Sequence, residues 1–211
     1  MKKMKRMAAL ILSCALAAVC PVMGSQAEED TRKAFVFGDY VGDVDPASGA
    51  YAWVGMRIGV MESLFKLDDS MTVQKNLVDD YSVSDDGLVW TIKLRDNVQF
   101  QSGNPMDADA VKASLERTCS MQSRAESELD IASMEADGNV LTITTKKPNP
   151  VLPNCLCDPY SGIVDVKSIG DDGDATVGTG PFKLVEYVEN ERMELDAFDD
   201  YWAGKPASKH V

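Results

Sequence analysis

Two hydrophobic periods alternate along the chain. Between residues 88 and 94, Leu88, Trp90, Ile92 and Leu94 alternate with Val89, Thr91 and Lys93, the two-residue period of a half-buried strand. Residues 78–83 form a partner run, and Asp85-Asp86-Gly87 between them supplies the turn chemistry of a hairpin. The pattern returns over 131–136 and 140–145, turned by Asp137-Gly138-Asn139, and over 182–188 and 192–198, turned at Glu189-Asn190. Ala34-Phe35-Val36-Phe37, ended by Gly38, reads as an opening strand, followed by a turn at Asp43-Val44-Asp45-Pro46. The helical period appears twice. Val54, Ile58, Met61, Leu64 and Phe65 predict an amphipathic helix over 51–67 that runs into the polar turn Lys66-Leu67-Asp68-Asp69. Gly103-Asn104-Pro105 breaks the chain, and Asp107 caps a helix over 108–119, with Val111, Leu115 and Cys119 inward and Lys112 and Glu116 outward. Pro148, Pro150 and Pro153 mark an irregular crossing through Cys157-Asp158-Pro159-Tyr160. The expected fold class is α/β: a mixed sheet with antiparallel hairpins and few helices.

The N-terminus follows a different logic. Lys2, Lys3, Lys5 and Arg6 precede an apolar run over 7–19 that Pro21 ends. This is the pattern of a secretory signal peptide, too short for a spanning helix. Ser25 and Ala27 satisfy the small-x-small rule and place cleavage before Glu28. Cys20, preceded by Ala17-Ala18-Val19, is the competing site, as a lipidated cysteine. Val19 and Pro21 flank that cysteine poorly, which favours cleavage after Ala27. The expected division is therefore a signal peptide over 1–27 and one exported unit over 28–211, in the periplasm or at the cell surface. The 211 residues, 45% hydrophobic and 26% charged, suffice for a domain with a buried core. The formal charge is −13, and the four basic groups of residues 1–27 leave 17 against all 34 acids beyond them. Such a surface repels phosphate backbones and argues against nucleic-acid binding.

Candidate chemistry is sparse. Outside the signal region stand Cys119, Cys155 and Cys157, an odd number that builds no disulfide framework. Cys155-Leu156-Cys157 hints at a soft metal, but His210 is the only histidine, and buried or incidental thiols fit better. Gly178-Thr179-Gly180 precedes Pro181 and a strand, whereas a phosphate cradle needs a helix N-terminus, so a structural turn is expected. Asp171-Asp172-Gly173-Asp174 lacks the spaced ligands of a calcium loop and reads as a solvated acidic loop. No internal histidine is present to activate a nucleophile, so no catalytic residue and no cofactor are assigned. Binding candidates remain. Tyr51 and Trp53 stand unobstructed in a Gly/Ala-rich stretch, with core packing the alternative for Trp53. Arg124 takes a ligand carboxylate or pairs with Glu126 or Glu128. Tyr160, beside Pro159 and Gly162, lines a pocket or packs inward.

One stretch carries a resemblance. Asp85-Asp86-Gly87-Leu88-Val89-Trp90-Thr91-Ile92-Lys93-Leu94-Arg95-Asp96-Asn97-Val98-Gln99-Phe100 resembles the signature of the peptide/nickel-type extracytoplasmic solute-binding proteins, bacterial solute-binding protein family 5. Ser102-Gly103-Asn104-Pro105-Met106-Asp107-Ala108-Asp109-Ala110-Val111 continues it into that family's capped helix. Val44-Asp45-Pro46, Met61-Glu62-Ser63-Leu64-Phe65, Gly178-Thr179-Gly180-Pro181-Phe182 and Tyr201-Trp202-Ala203-Gly204-Lys205-Pro206 are similar to its other landmarks, in order.

The resemblance implies a type II periplasmic-binding-protein-like fold, of which this chain holds the first lobe with an added subdomain. It also implies a monomeric, non-enzymatic binder that delivers a small peptide or a nickel–chelator complex to a membrane ABC permease and its ATPase. Residues 130–150 look closer to the nickel-type branch. There Arg124 falls where a cation meets the chelator's carboxylates, and a second cationic position appears here as Ser161. The implied ligand-binding set is Tyr51, Trp53, Arg124, Tyr160 and Ser161, with no bound metal ligated by protein. Family members are much longer, so a truncated N-terminal lobe lacking the second lobe, with weak binding at most, is the expectation. The alternative is an exported interaction module, an adhesin or sensor, that reuses the lobe without transport.

Overall fold

The computed structural model describes residues 44–48, 52–171, 173, 175–188 and 191–211. The expected signal peptide, the strand over 34–37, Tyr51 and the Glu189-Asn190 turn lie outside them.

The helix expected over 51–67 stops early: α1 covers only Ala52–Arg57. Gly59 takes a φ of 75°. Its N–H donates to the Met56 carbonyl at 3.1 Å, and the Val60 N–H donates to the Gly55 carbonyl at 3.0 Å. This bond pair is a Schellman termination, with glycine at the one position that must be left-handed. Beyond it the chain is extended. Met61 and Leu64 remain buried, but Phe65–Leu67 is a strand, β1, antiparallel to β2 (Val73–Lys75). The apolar spacing that suggested one long helix is thus shared between a short helix and an extended segment, each burying its residues against different neighbours.

The hairpins form as expected. Strands β3 (Val78–Val83) and β4 (Val89–Leu94) pair around the Asp-Gly turn, where Gly87 has a φ of 72°. Helix α2, Ala108–Met121, is capped by the Asp107 carboxylate, which accepts the Ala110 N–H at 2.9 Å. An unexpected helix, α3 (Ser123–Leu129), follows after Gln122 breaks the backbone into an extended conformation. Strands β5 (Ile131–Asp137) and β6 (Val140–Thr145) then complete an antiparallel sheet of order β3-β4-β6-β5. Trp90 stands opposite Ile143, and Ile92 opposite Leu141. That face packs with Val111 and Leu115 of α2 in the larger core cluster. The proline-rich crossing holds a short helix, α4 (Leu152–Cys155), and 3-10 turns at Pro159–Ser161 and Val166–Ser168. The last hairpin pairs β7 (Phe182–Val188) with β8 (Arg192–Ala197), and Leu195 exchanges backbone hydrogen bonds with Val211. A second, smaller cluster collects Ile58, Val60, Met61, Val164 and Leu195, with Phe182 and Leu184 against it. Among the described residues, no helix is long and apolar enough to cross a membrane.

Candidate functional site

The expected ligand residues gather around the first 3-10 turn. Asp158 starts that turn: its carboxylate accepts the Tyr160 N–H at 3.4 Å, and Pro159 removes a donor that the turn has no use for. Tyr160 is 2% exposed, and its hydroxyl donates to Glu128 at 2.8 Å. Ser161 is fully buried, and its hydroxyl donates to the Asp158 carbonyl at 2.7 Å. The Arg124 guanidinium lies 5.3 Å from the centre of the Tyr160 ring. Its Nε donates to Glu128 Oε1 at 2.9 Å and its Nη2 to Asp158 Oδ2 at 2.8 Å. Of the two acids weighed as partners, α3 selects Glu128 because four residues complete one helical turn.

Helix α1 packs against the same 3-10 turn. Its Trp53 is 48% exposed, with the Arg57 guanidinium 5.5 Å from the ring. The structure therefore brings Arg124 against Tyr160, with Ser161 next along the same turn, and sets the helix of Trp53 beside that turn. Trp53 and Arg124 face solvent. Tyr160 and Ser161 are buried: Tyr160 supports Arg124 through its ring and through Glu128, and Ser161 closes the turn on the Asp158 carbonyl. Tyr51 falls outside the described residues.

Charge is tightly coupled here. The hydrogen bond from Arg124, then that from Tyr160, holds the Glu128 carboxyl below its usual range against a partial desolvation. Glu128 and Asp158 in turn raise the guanidinium. Burial first, then the Glu128 contact, raises the Tyr160 phenol. The nearby thiols are not poised for reaction. Burial raises Cys155, and burial with Cys155 and Asp158 beside it pushes Cys157 up to about 11. Both are free, as is Cys119. Among the described residues, no group of three His, Cys, Asp or Glu side chains is arranged to hold a metal ion.

Three of the sequence landmarks meet elsewhere, in one structural knot that the hydrophobic pattern did not reveal. The Glu62 carboxylate accepts the Tyr201 hydroxyl at 2.9 Å, the Trp202 indole N–H at 2.9 Å and the Thr179 hydroxyl at 3.0 Å. Gly178 and Gly180 are required by contact: a Cβ would stand 2.3 Å from the Val60 carbonyl oxygen and 2.2 Å from that of Gly59, respectively. The turn reading of Gly178-Thr179-Gly180 thus has a packing cause. A shallow depression of about 440 Å³ lies beside this knot, lined by Asp79, Arg95, Asp96, Asn97 and Trp202. Arg95 covers one side of the Trp202 indole at 4.9 Å and Tyr201 meets it edge-on at 5.6 Å, so the ring is occupied.

Residues 72–211 match the family described as bacterial extracellular solute-binding proteins, family 5 Middle. The nickel-binding protein NikA of Staphylococcus aureus is 37% identical over 158 residues, which cover 75% of this chain and 32% of that protein. The glutathione-binding protein GsiB of Salmonella paratyphi A is 36% identical over 149 residues, covering 67% of this chain and 29% of that one. Among solved structures, a nickel ABC transporter from Bacillus halodurans superposes with a TM-score of 0.76 at 38% identity, over 82% of this chain and 36% of that chain. NikA from Staphylococcus aureus in complex with Ni(L-His)2 gives a TM-score of 0.76 at 34% identity over 82% of this chain. The chain spans about a third of the length of these relatives. The family match, its order of landmarks and the shared type II periplasmic-binding-protein-like fold agree: this chain belongs to family 5 of the bacterial extracellular solute-binding proteins.

Proposed function

We propose that this chain is the N-terminal lobe of an exported substrate-binding component of an ABC importer, residues 1–27 serving as its signal peptide. The ligand is a small peptide or a nickel complex of an amino-acid-type chelator, bound without chemistry and handed to a membrane permease. Membership of a solute-binding family supports a binder in place of an enzyme. The relatives named for nickel and for glutathione supply the two ligand classes.

The observation that carries the ligand assignment is Arg124. It is a solvent-facing guanidinium stacked on a buried tyrosine and oriented by two acids, beside the helix that presents Trp53. Stacking and pairing fix its orientation before a ligand arrives, which lowers the ordering cost of binding. A ligand carboxylate is the natural partner for its remaining donor edge. The test is calorimetric titration of the intact protein with Ni(L-His)2 and with glutathione. Replacing Arg124 by alanine should weaken the bound ligand by about tenfold to a hundredfold, the weight of one charge-assisted hydrogen-bonding group. Unchanged affinity removes the anchor role, and failure of both ligands to bind the wild type overturns the assignment.

A further inference from the structure

We propose that Glu128 and Asp158 make the Arg124 position a charge filter, one that accepts a carboxylate-bearing ligand that also carries a cationic group or is neutral overall and rejects polyanionic ligands without a cationic group. The inference rests on reading this region as a ligand site and concerns which ligands it admits. A lone arginine attracts any anion. This one does not stand alone: its Nε is taken by Glu128 at 2.9 Å and its Nη2 by Asp158 at 2.8 Å. One face of the guanidinium lies over Tyr160. What remains is Nη1, the second N–H of Nη2 and the opposite face, on a side chain 57% exposed.

The trio brings one positive and two negative charges to that spot, and Ser161 adds none. Neither acid is free to swing away. Glu128 is also held by the Tyr160 hydroxyl at 2.8 Å, and Asp158 by the Tyr160 N–H whose turn it starts. A carboxylate arriving at Nη1 therefore meets its attraction and two fixed repulsions together. Each further negative charge on the ligand meets the net negative charge of the trio, one cation against two acids. At ion-pair range in a partly solvated site, one such charge weighs about tenfold or more in affinity. A ligand that carries a cationic group beside its carboxylate finds the unused lone pairs of Glu128 and Asp158 instead. Zwitterionic amino-acid head groups, basic peptides and neutral metal–amino-acid complexes fit; multiply charged chelates do not.

The experiment compares the neutral complex Ni(L-His)2 with the dianionic complex Ni–EDTA, each titrated into the intact protein at low and high ionic strength. The wild type should favour the neutral complex by about tenfold or more, and high salt should compress that ratio. The double variant Glu128→Gln, Asp158→Asn keeps acceptors for Tyr160 and Arg124 while deleting both charges. It should shift the ratio toward Ni–EDTA by about tenfold or more. The salt series on the wild type reads the same effect without any variant having to fold. A ratio that neither salt nor the double variant moves overturns the filter while leaving the site reading intact. If neither complex nor a lysine-containing tripeptide binds, the site reading falls and the filter falls with it.

Discussion

Glu62 shows how one side chain can hold distant parts of a chain in register. It sits between α1 and β1, yet its carboxylate takes donors from Thr179, Tyr201 and Trp202, more than a hundred residues downstream. Hydrogen bonds to a charged acceptor are roughly twice as strong as neutral ones, and their partners here are half-buried or buried. Glu62→Ala leaves three donors without an acceptor and should lower the unfolding free energy by about 3 kcal/mol, whereas Glu62→Gln should cost about 1–2 kcal/mol. Urea denaturation of both variants checks the ranking; equal losses would show that the negative charge, and neither side-chain volume nor a neutral acceptor, matters at this position. Nothing in the sequence around Met61-Glu62-Ser63 announces the knot, because its partners are recognisable only once the chain has folded back. The surroundings of Arg124 are more legible. Its cation stands out after a capped helix, and the spacing to Glu128 is local, but Asp158 joins it only through tertiary packing.

At the scale of elements, what could be read from sequence is what local chemistry decides. The Asp85-Asp86-Gly87 and Asp137-Gly138-Asn139 turns and the Asp107 cap fall where the residues say, because each requirement is met within a few positions. The segment after α1 departs from the expected helix because apolar residues at helical spacing continue past Gly59, and hydrophobic period alone cannot say when burial switches to a new neighbour. The stop signal was present as Gly59 itself, which takes the left-handed position. Helix α3 leaves no hydrophobic signal for the opposite reason: Ser123 to Leu129 is mostly polar, and only Ala125 and Leu129 are buried. The crossing of residues 59–62 against 178–182 is closer than side chains allow. Gly180→Ala should therefore push the two segments apart at a cost of about 2–3 kcal/mol, with the loss seen as a lower thermal midpoint. A variant as stable as the wild type would mean that the crossing relaxes freely.

At the scale of the whole molecule, the described residues form two apolar clusters with a polar joint between them. The larger one lies under the four-stranded sheet, and the smaller one lies between the 58–61 segment, β7 and β8. Gln101 bridges them. It is 8% exposed; its Nε2 reaches the carbonyls of Val60 at 2.8 Å, Gly180 at 3.1 Å and Phe182 at 2.6 Å. Its Oε1 accepts the Gly178 N–H at 3.2 Å, and its own backbone N–H donates to Gly178 at 2.9 Å. An amide is the side chain that can satisfy backbone donors and acceptors at once, which is what a joint between extended segments demands. The smaller cluster has few large buried side chains of its own, so its stability depends on being tied to the larger. Gln101→Ala leaves several backbone groups unpaired in a buried place and should cost about 2–4 kcal/mol. The loss should not be uniform, because local opening follows the weakest attachment. Native-state hydrogen exchange should show the amides of β7 and β8 opening at a clearly lower free energy than those of β4 and β6. Parallel loss of protection in both strand pairs would instead mean that the two clusters unfold as one unit and that the joint carries no separate role.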